Sequence, residues 1–336
     1  MFSFLVKRLV SGVLVVAIVS MAVYALFWYG PRSPALELCR RDTNNRCGVT
    51  SEVLKQYERD LGYDNPIWSE YGKWAKGLFT GREINAGSVQ VDCHAPCLGI
   101  SFRDKNLVWS EFKTRFPVTL SIAVGSGILY LVVGVGMGVL AARRRGTWFD
   151  KSLVSLSLIF SSIPFYLVAL LAMLVLTLST SFFPAPAYAS PFHDPAHWFT
   201  GMLLVWLVLG IYGSTSYTRY SRGAMVEALS EDYVRTAKAK GLSNRTVVLK
   251  HALRAALVPV ITIFGIDFAF LLSGTIFAEK IFSLEGIGVW GLEAVQIKDL
   301  PVVQATSVIL AVIIVIANIL VDIAYSWLDP RVRITS

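Results

Sequence analysis

Charge is scarce in this sequence. Asp, Glu, Lys and Arg make up 16% of its 336 residues, against 54% hydrophobic. A water-soluble domain of that size carries about a quarter charged residues, so the shortage, with a mean hydropathy of +0.57, points to a polytopic membrane protein. Catalytic signatures are missing as well. There is no Gly-x4-Gly-Lys-Ser/Thr, so no P-loop for ATP, and neither His-Glu-x2-His nor Gly-x-Ser-x-Gly occurs. Histidines number four. The sequence therefore supports no enzyme chemistry and no cofactor of its own. No basic stripe interleaved with aromatics suggests nucleic-acid binding, and no internal repeat or low-complexity tract is visible. Cysteine is confined to Cys39, Cys47, Cys93 and Cys97, all outside the long apolar runs.

Six apolar runs are long enough for a hydrocarbon core of roughly 30 Å, which takes about 20 residues each. They cover Leu9–Tyr29, Val118–Ala142, Leu153–Leu178, Met202–Tyr220, Leu257–Ile276 and Val302–Ser326. The first follows Lys7 and Arg8 and is expected to stay as a span, since it is long for a signal peptide and no small-x-small site follows it. The net charge of +8 clusters beside these runs, which suits anionic lipid headgroups and topology control. Arg143, Arg144, Arg145 and Lys151 follow the second run. Arg219, Arg222, Arg235, Lys238, Lys240, Arg245, Lys250 and Arg254 follow the fourth, and Arg331 and Arg333 close the chain. The stretch from Ser179 to His197 has no Lys or Arg. The positive-inside rule then places both termini in the cytoplasm and residues 30–117 outside.

On the oxidising side, four cysteines are expected to form two disulfides, with three pairings possible. Sequence proximity favours Cys39–Cys47 and Cys93–Cys97. Zinc held by Cys93 and Cys97 with His94 is the alternative. The same stretch should hold two helices. One starts at Thr50 or Ser51, carries Val53, Leu54, Tyr57 and Leu61 on one face and stops at Gly62. The other runs near Trp68–Phe79 with Trp68, Tyr71, Trp74 and Leu78 along a stripe, for a membrane interface, an external lid or packing on the spans.

Between Ser230 and Arg254 the pattern is helix, glycine, helix. Ser230 is expected to cap the first helix, with Glu231 and Asp232 in its first turn and Lys238 and Lys240 in its last, an order matched to the helix dipole. Gly241 is placed as a left-handed stop. Ser243 caps the second helix, with Leu242 and Val247 at the staple positions. So compact a basic element beside spans has the form of a grip for a partner. Within the spans, Gly134, Gly136 and Gly138 allow a close helix approach, either to a partner membrane protein or inside the chain. Pro164 should kink the third span and free a carbonyl. Asp267 lies near the middle of the fifth. A carboxylate there is costly and is expected to face a translocation pathway, or else to bond to a neighbouring helix. Asn318 and Asp322, one turn apart, read as a structural polar seam.

Residues 230–254 resemble the cytoplasmic coupling loop of ABC-importer permeases, whose pattern is Glu-Ala-Ala, three residues, then Gly. Gly241 and Ala237 match, and Arg235 replaces the Glu. The stretches Asp232–Leu242, His251-Ala-Leu, Glu279–Gly288, Asp299–Gln304 and Asn318–Arg331 are similar to the oligopeptide/dipeptide permeases. Phe4–Leu9 and Leu61–Pro66 fit their B-type subunit. Departures are Arg254 where the general pattern has Pro, Glu285 before Gly286 where Pro is usual, and the cysteine-bearing stretch from Arg82 to Cys97.

The resemblance implies an all-α membrane protein of six spans with a cytoplasmic coupling helix pair and a disulfide-bearing external loop domain. Residues 1–29 hold the cytoplasmic N-terminus and first span, 30–117 the external domain, 118–329 the permease core with coupling helices at about 230–254, and 330–336 a cytoplasmic tail. It further implies a second homologous permease, two cytoplasmic ATPases that carry ATP and Mg, and an external binding protein, in a bacterial or archaeal cytoplasmic membrane. Tyr233, Arg235, Ala237, Lys240, Gly241 and Leu242 would couple to the ATPase, and Asp267 and Pro164 would line the pathway. The expected cargo is di- or oligopeptide. Nickel chelates, glutathione or oligosaccharides are alternatives, and a stand-alone channel or secondary transporter is a further one.

Overall fold

The computed structural model describes residues 2–29, 34–43, 47–48, 52–86, 89–273 and 275–328. Thr50, Ser51, Arg331, Arg333 and the tail 330–336 lie outside the described residues, as does the side chain of Asp322. In chain order the elements are α1 (Phe2–Trp28), α2 (Pro34–Asp42), α3 (Glu52–Asp60), α4 (Ile67–Thr80), β1 (Arg82–Ala86) and β2 (Val89–Cys93). Then come α5 (Val108–Arg143), α6 (Trp148–Ser162), α7 (Phe165–Ser179), α8 (Pro195–Ser230), α9 (Asp232–Ala239) and α10 (Asn244–Leu272). The last are α11 (Ile276–Ile281), α12 (Ile287–Ile297) and α13 (Leu300–Leu328). Five helices are long and apolar enough to cross a membrane, and the bent pair α6–α7 makes a sixth span if counted as one. The fold is mostly helical, as expected, and it also carries one hairpin, in which β1 and β2 are antiparallel and pair Arg82 with Cys93 and Ile84 with Val91.

The chain divides into two compact units. One holds residues 118–285 with both chain ends, and α8 is its axis. Asp194 caps α8 by accepting the His197 amide at 3.0 Å, and Pro195 supplies a first-turn residue whose missing N–H costs nothing. Glycines open the α5–α8 seam: Gly134 and Gly138 of α5 lie against Tyr217, Ser214, Ser221 and Thr218, and Gly213 of α8 lies under the Tyr130 ring. A methyl group at Gly134 or Gly138 would strike α8, so these two positions serve packing within the chain. Gly136 meets nothing on that side. Trp206 of α8 donates to the Ser121 carbonyl at 2.8 Å across the same seam.

The third expected span is not a single helix. α6 and α7 meet at 91°. Ile163 and Pro164 are extended between them, and Pro164 precedes α7 as its cap residue. Proline lacks the donor for a continuous helix, and it also drives the residue before it out of the helical region.

The second unit holds residues 6–117 and 286–315. Disulfides join Cys39 to Cys47 and Cys93 to Cys97, with Cα atoms 5.8 and 5.4 Å apart. α3 buries Leu54 against both Cys39 and Cys47, whereas Val53 is 46% exposed and leaves the face it was expected to share with Leu54. Gly62 follows α3 at φ +80°. In α4, Trp74 is buried and Trp68 is exposed, and the inner face of α4 meets α1. Tyr24 packs edge-on to Tyr71 at 5.5 Å, and Ser20 shares a hydrogen bond with the Tyr71 hydroxyl. Packing on a span is therefore the role of that aromatic stripe. Asp299, buried ahead of α13, accepts from the Ser101 hydroxyl and from the amides of Phe102 and Arg103, which fixes loop 99–107.

Candidate functional site: the helix-glycine-helix element and the tyrosine-aspartate contact

Ser230 does not cap the short helix. It is the last residue of α8, and its hydroxyl turns back to the Glu227 carbonyl. Glu231, extended at φ −68° and ψ 150°, takes the cap position one residue later. The charge order survives this shift, with Asp232 in the first turn of α9 and Lys238 in the last. Gly241 adopts φ +77°, its amide bonds to the Lys238 carbonyl, and the Leu242 amide reaches the Ala237 carbonyl. That pair of bonds closes the helix in the manner that favours glycine. Ser243 accepts the Thr246 amide at 3.3 Å and starts α10. Of the two staple residues, Val247 is buried and Leu242 is 41% exposed.

One face of α9 is apolar. Val234 and Ala237 are buried in a cluster with Met225 and Ala228 of α8, Val247, Val248, Ala252 and Ala256 of α10, and Val139 and Ala142 of α5. The coupling candidates therefore separate. Tyr233, Arg235, Lys240, Gly241 and Leu242 are exposed, whereas Ala237 is turned into the chain. Ala237 packs α9 onto α5, α8 and α10. A π-helical turn runs from Val247 to Ala252, after the first residues Asn244–Thr246 of α10. Such a turn widens the helix by a residue and recurs where helices carry function.

Two positions missed in the sequence hold the neighbouring spans. Asp150, 2% exposed at the start of α6, accepts from Arg222 of α8 through both carboxylate oxygens, at 2.5 and 2.7 Å, and from the Gly146 amide at 2.9 Å. Arg219 of α8 donates to the Ser157 carbonyl and the Ser161 hydroxyl of α6. The available signal was a lone acid, Asp150, among four basic residues.

Deeper in the unit, Asp267 of α10 accepts the Tyr217 hydroxyl of α8 at 2.7 Å. The Tyr217 ring, fully buried, packs on Tyr130 of α5 at 5.4 Å and on Phe264 of α10 at 6.2 Å. Gly134 leaves room for this ring. Asp267 is partly exposed, so it is neither sealed nor bare. Pro164 is exposed at the α6–α7 break, and the carbonyl of Ile163 accepts the Tyr212 hydroxyl at 3.1 Å. Asp267 and the Pro164 break are thus both tied to α8, through Tyr217 and Tyr212. Asn318 is exposed on α13. Among the described residues no group of three or more His, Cys, Asp or Glu is placed to hold a metal ion. His193 and His197 stand four apart, but His193 lies in the turn before α8, and His197 bonds to its cap residue Asp194.

Comparison with known proteins covers nearly the whole chain. Residues 134–334 match the family described as binding-protein-dependent transport system inner membrane component, and residues 1–123 match its N-terminal counterpart. A Brucella abortus (strain 2308) protein named "Putative peptide transport system permease protein" is 34% identical over 333 residues, 99% of each chain. The dipeptide transport system permease protein DppB of Escherichia coli (strain K12) is 34% identical over 309 residues, 85% of this chain and 87% of that one. Among solved structures, a chain of the MetNI methionine ABC transporter in an inward-facing form aligns with a TM-score of 0.48 and 18% identity. It covers 66% of this chain and 97% of that chain.

Proposed function

The chain belongs to the family of binding-protein-dependent transport system inner membrane components, and from that premise we propose that it forms one half of the translocation pathway of an ATP-driven importer of di- and oligopeptides. Membership makes it a multi-pass permease subunit, and in this reading ATP hydrolysis belongs to other chains. Peptide cargo rests on relatives of 34% identity that bear peptide and dipeptide names. The partners in this reading are a second permease, two ATPases that bind ATP and Mg, and an external binding protein. Both termini lie in the cytoplasm, and residues 30–117 face outward.

The observation that carries the mechanism is the two-sided character of α9. Its outer face offers Tyr233, Arg235 and Lys240 beside Gly241, while its inner face is fused by Val234 and Ala237 to α5, α8 and α10. A partner that pushes on the outer face moves three spans at once, because packed side chains transmit displacement with little compression. ATP-driven closure of the partner ATPases supplies that push. The spans then exchange between two packings that open the pathway to opposite sides. Asp267 lines that pathway and favours the ammonium group of a passing peptide. The Pro164 break lets α7 move separately from α6.

The test is Gly241→Asp in the assembled transporter. ATP hydrolysis stimulated by loaded binding protein should be lost while the spans remain folded. Undiminished stimulation in that variant would refute the coupling role.

A further inference from the structure

A cavity of about 610 Å³ in the second unit is used by none of the roles above. Its wall is aromatic on one side, formed by Tyr24 and Trp28 at the end of α1, Tyr63, and Trp74 of α4. Trp28 stacks on Tyr63 at 4.5 Å, and Tyr24 lies 6.1 Å from Trp74. The lining also includes Arg82 of β1 and Gln304 of α13, together with the carboxylates Asp60, Glu70 and Glu83. Arg82 Nε and Gln304 Nε2 are both buried and find no hydrogen-bond partner among the described residues. Gly77 makes space for the arginine stem, since a Cβ there would come within 2.8 Å of Arg82 Cδ. Burial lowers the Arg82 guanidinium below its ordinary proton affinity, against an opposing pull from Tyr24 and Glu70. Glu70 is already engaged by Lys73 at 2.6 Å and by Asn65 at 2.9 Å.

Buried donors without partners are rare, and each calls for an acceptor in the cavity, either water or a ligand. A guanidinium fork selects phosphate or carboxylate. The position of the cavity narrows the choice. α1 presents Val13, Leu14 and Ile18 outward, each more than half exposed. Tyr and Trp at the end of such a span sit at headgroup level. An amphiphile whose chains lie along α1 would bring its headgroup to the cavity mouth.

We propose that this cavity is a binding site for one anionic phospholipid, with the phosphate taken by Arg82 and Gln304 and the acyl chains laid along α1. The bound lipid would fasten the outer end of α1 to α4 and α13. This assignment does not depend on what the permease carries.

The experiment is native mass spectrometry of the full chain in its detergent-solubilised transporter, titrated with dioleoyl phosphatidylglycerol. One lipid per chain should be retained. Arg82→Ala should weaken retention about tenfold or more, and Gln304→Leu about two- to tenfold, as expected for charged and neutral hydrogen bonds. Lys55→Ala, at an exposed position outside the cavity, should leave it unchanged. If Arg82→Ala does not fold, Arg82→Lys, which keeps the charge and loses the fork, and Gln304→Leu carry the test. Equal retention in these variants would overturn the proposal. Dioleoylglycerol held as well as the phospholipid would remove the role of the phosphate. Inorganic phosphate displacing the lipid at equal concentration would make it a soluble-anion site and overturn the lipid assignment.

Discussion

At the scale of single residues, polar groups within the spans matter because each is costly. A carboxylate near a bilayer centre costs about 2.5–3.5 kcal/mol on insertion scales. Asp267 offsets part of that through the Tyr217 hydroxyl and keeps partial exposure. Asp267→Asn should therefore preserve assembly and basal ATP hydrolysis while altering transport rate or preference, with greater losses for peptides that have a free amino terminus. Uptake assays with amino-blocked and free peptides check this, and wild-type uptake of both would contradict the pathway role. Asp150 has the opposite character, being buried with both oxygens on Arg222. Removing one partner of such a pair leaves an uncompensated charge, at a cost of about 3–5 kcal/mol. Arg222→Ala should lower the thermal unfolding midpoint clearly, and adding Asp150→Asn should recover much of the loss. Equal midpoints for the wild type and Arg222→Ala would mean that the pair is solvated in the assembled protein.

At the scale of elements, α9 has an exposed face and a buried one, which a single motif had run together. Arg235 points outward and Ala237 inward. Arg235→Glu should spare stability and impair stimulated ATP hydrolysis. Ala237→Glu should cost about 3 kcal/mol or more through an unpaired buried charge and lose both. Gly241→Ala should cost about 1–2 kcal/mol for a side chain in the left-handed region, with no steric clash, since nothing lies near its missing Cβ. Melting curves beside ATPase assays separate these outcomes. The element boundaries also show what the sequence could disclose. Gly241 and Ser243 were legible because their constraints are local: positive φ and a hydroxyl cap. The position of Ser230 was not, because α8 runs on through 36 residues, and tertiary packing of Met225 and Ala228 sustains it past the apolar run. The 91° break at Pro164 was only half legible. A proline announces a kink but not its size, and the hydrogen bonds beside the break come from Tyr212 and Arg219, which lie about fifty residues away. The hairpin carried a period-two signal in Ile84, Val89 and Val91 that the nearby cysteines obscured.

At the scale of the whole molecule, long apolar runs made the spans readable, while the partners of Asp150 and Asp267 could not be read, since contacts between distant helices leave no local trace. The paired cysteines belong to this scale because they bear on which side of the membrane residues 30–117 face. Alkylation of the native, unreduced protein followed by intact-mass analysis should find no free thiol on Cys39, Cys47, Cys93 or Cys97. Four alkylated cysteines would place that segment in a reducing compartment and reverse the proposed topology. The most direct measurement is uptake of a labelled dipeptide into proteoliposomes holding this chain with its partner permease, the two ATPases and external binding protein, with ATP enclosed. The account predicts uptake that requires ATP and binding protein and falls to background with Gly241→Asp. Dipeptide uptake by this chain alone, without ATPases, would contradict it.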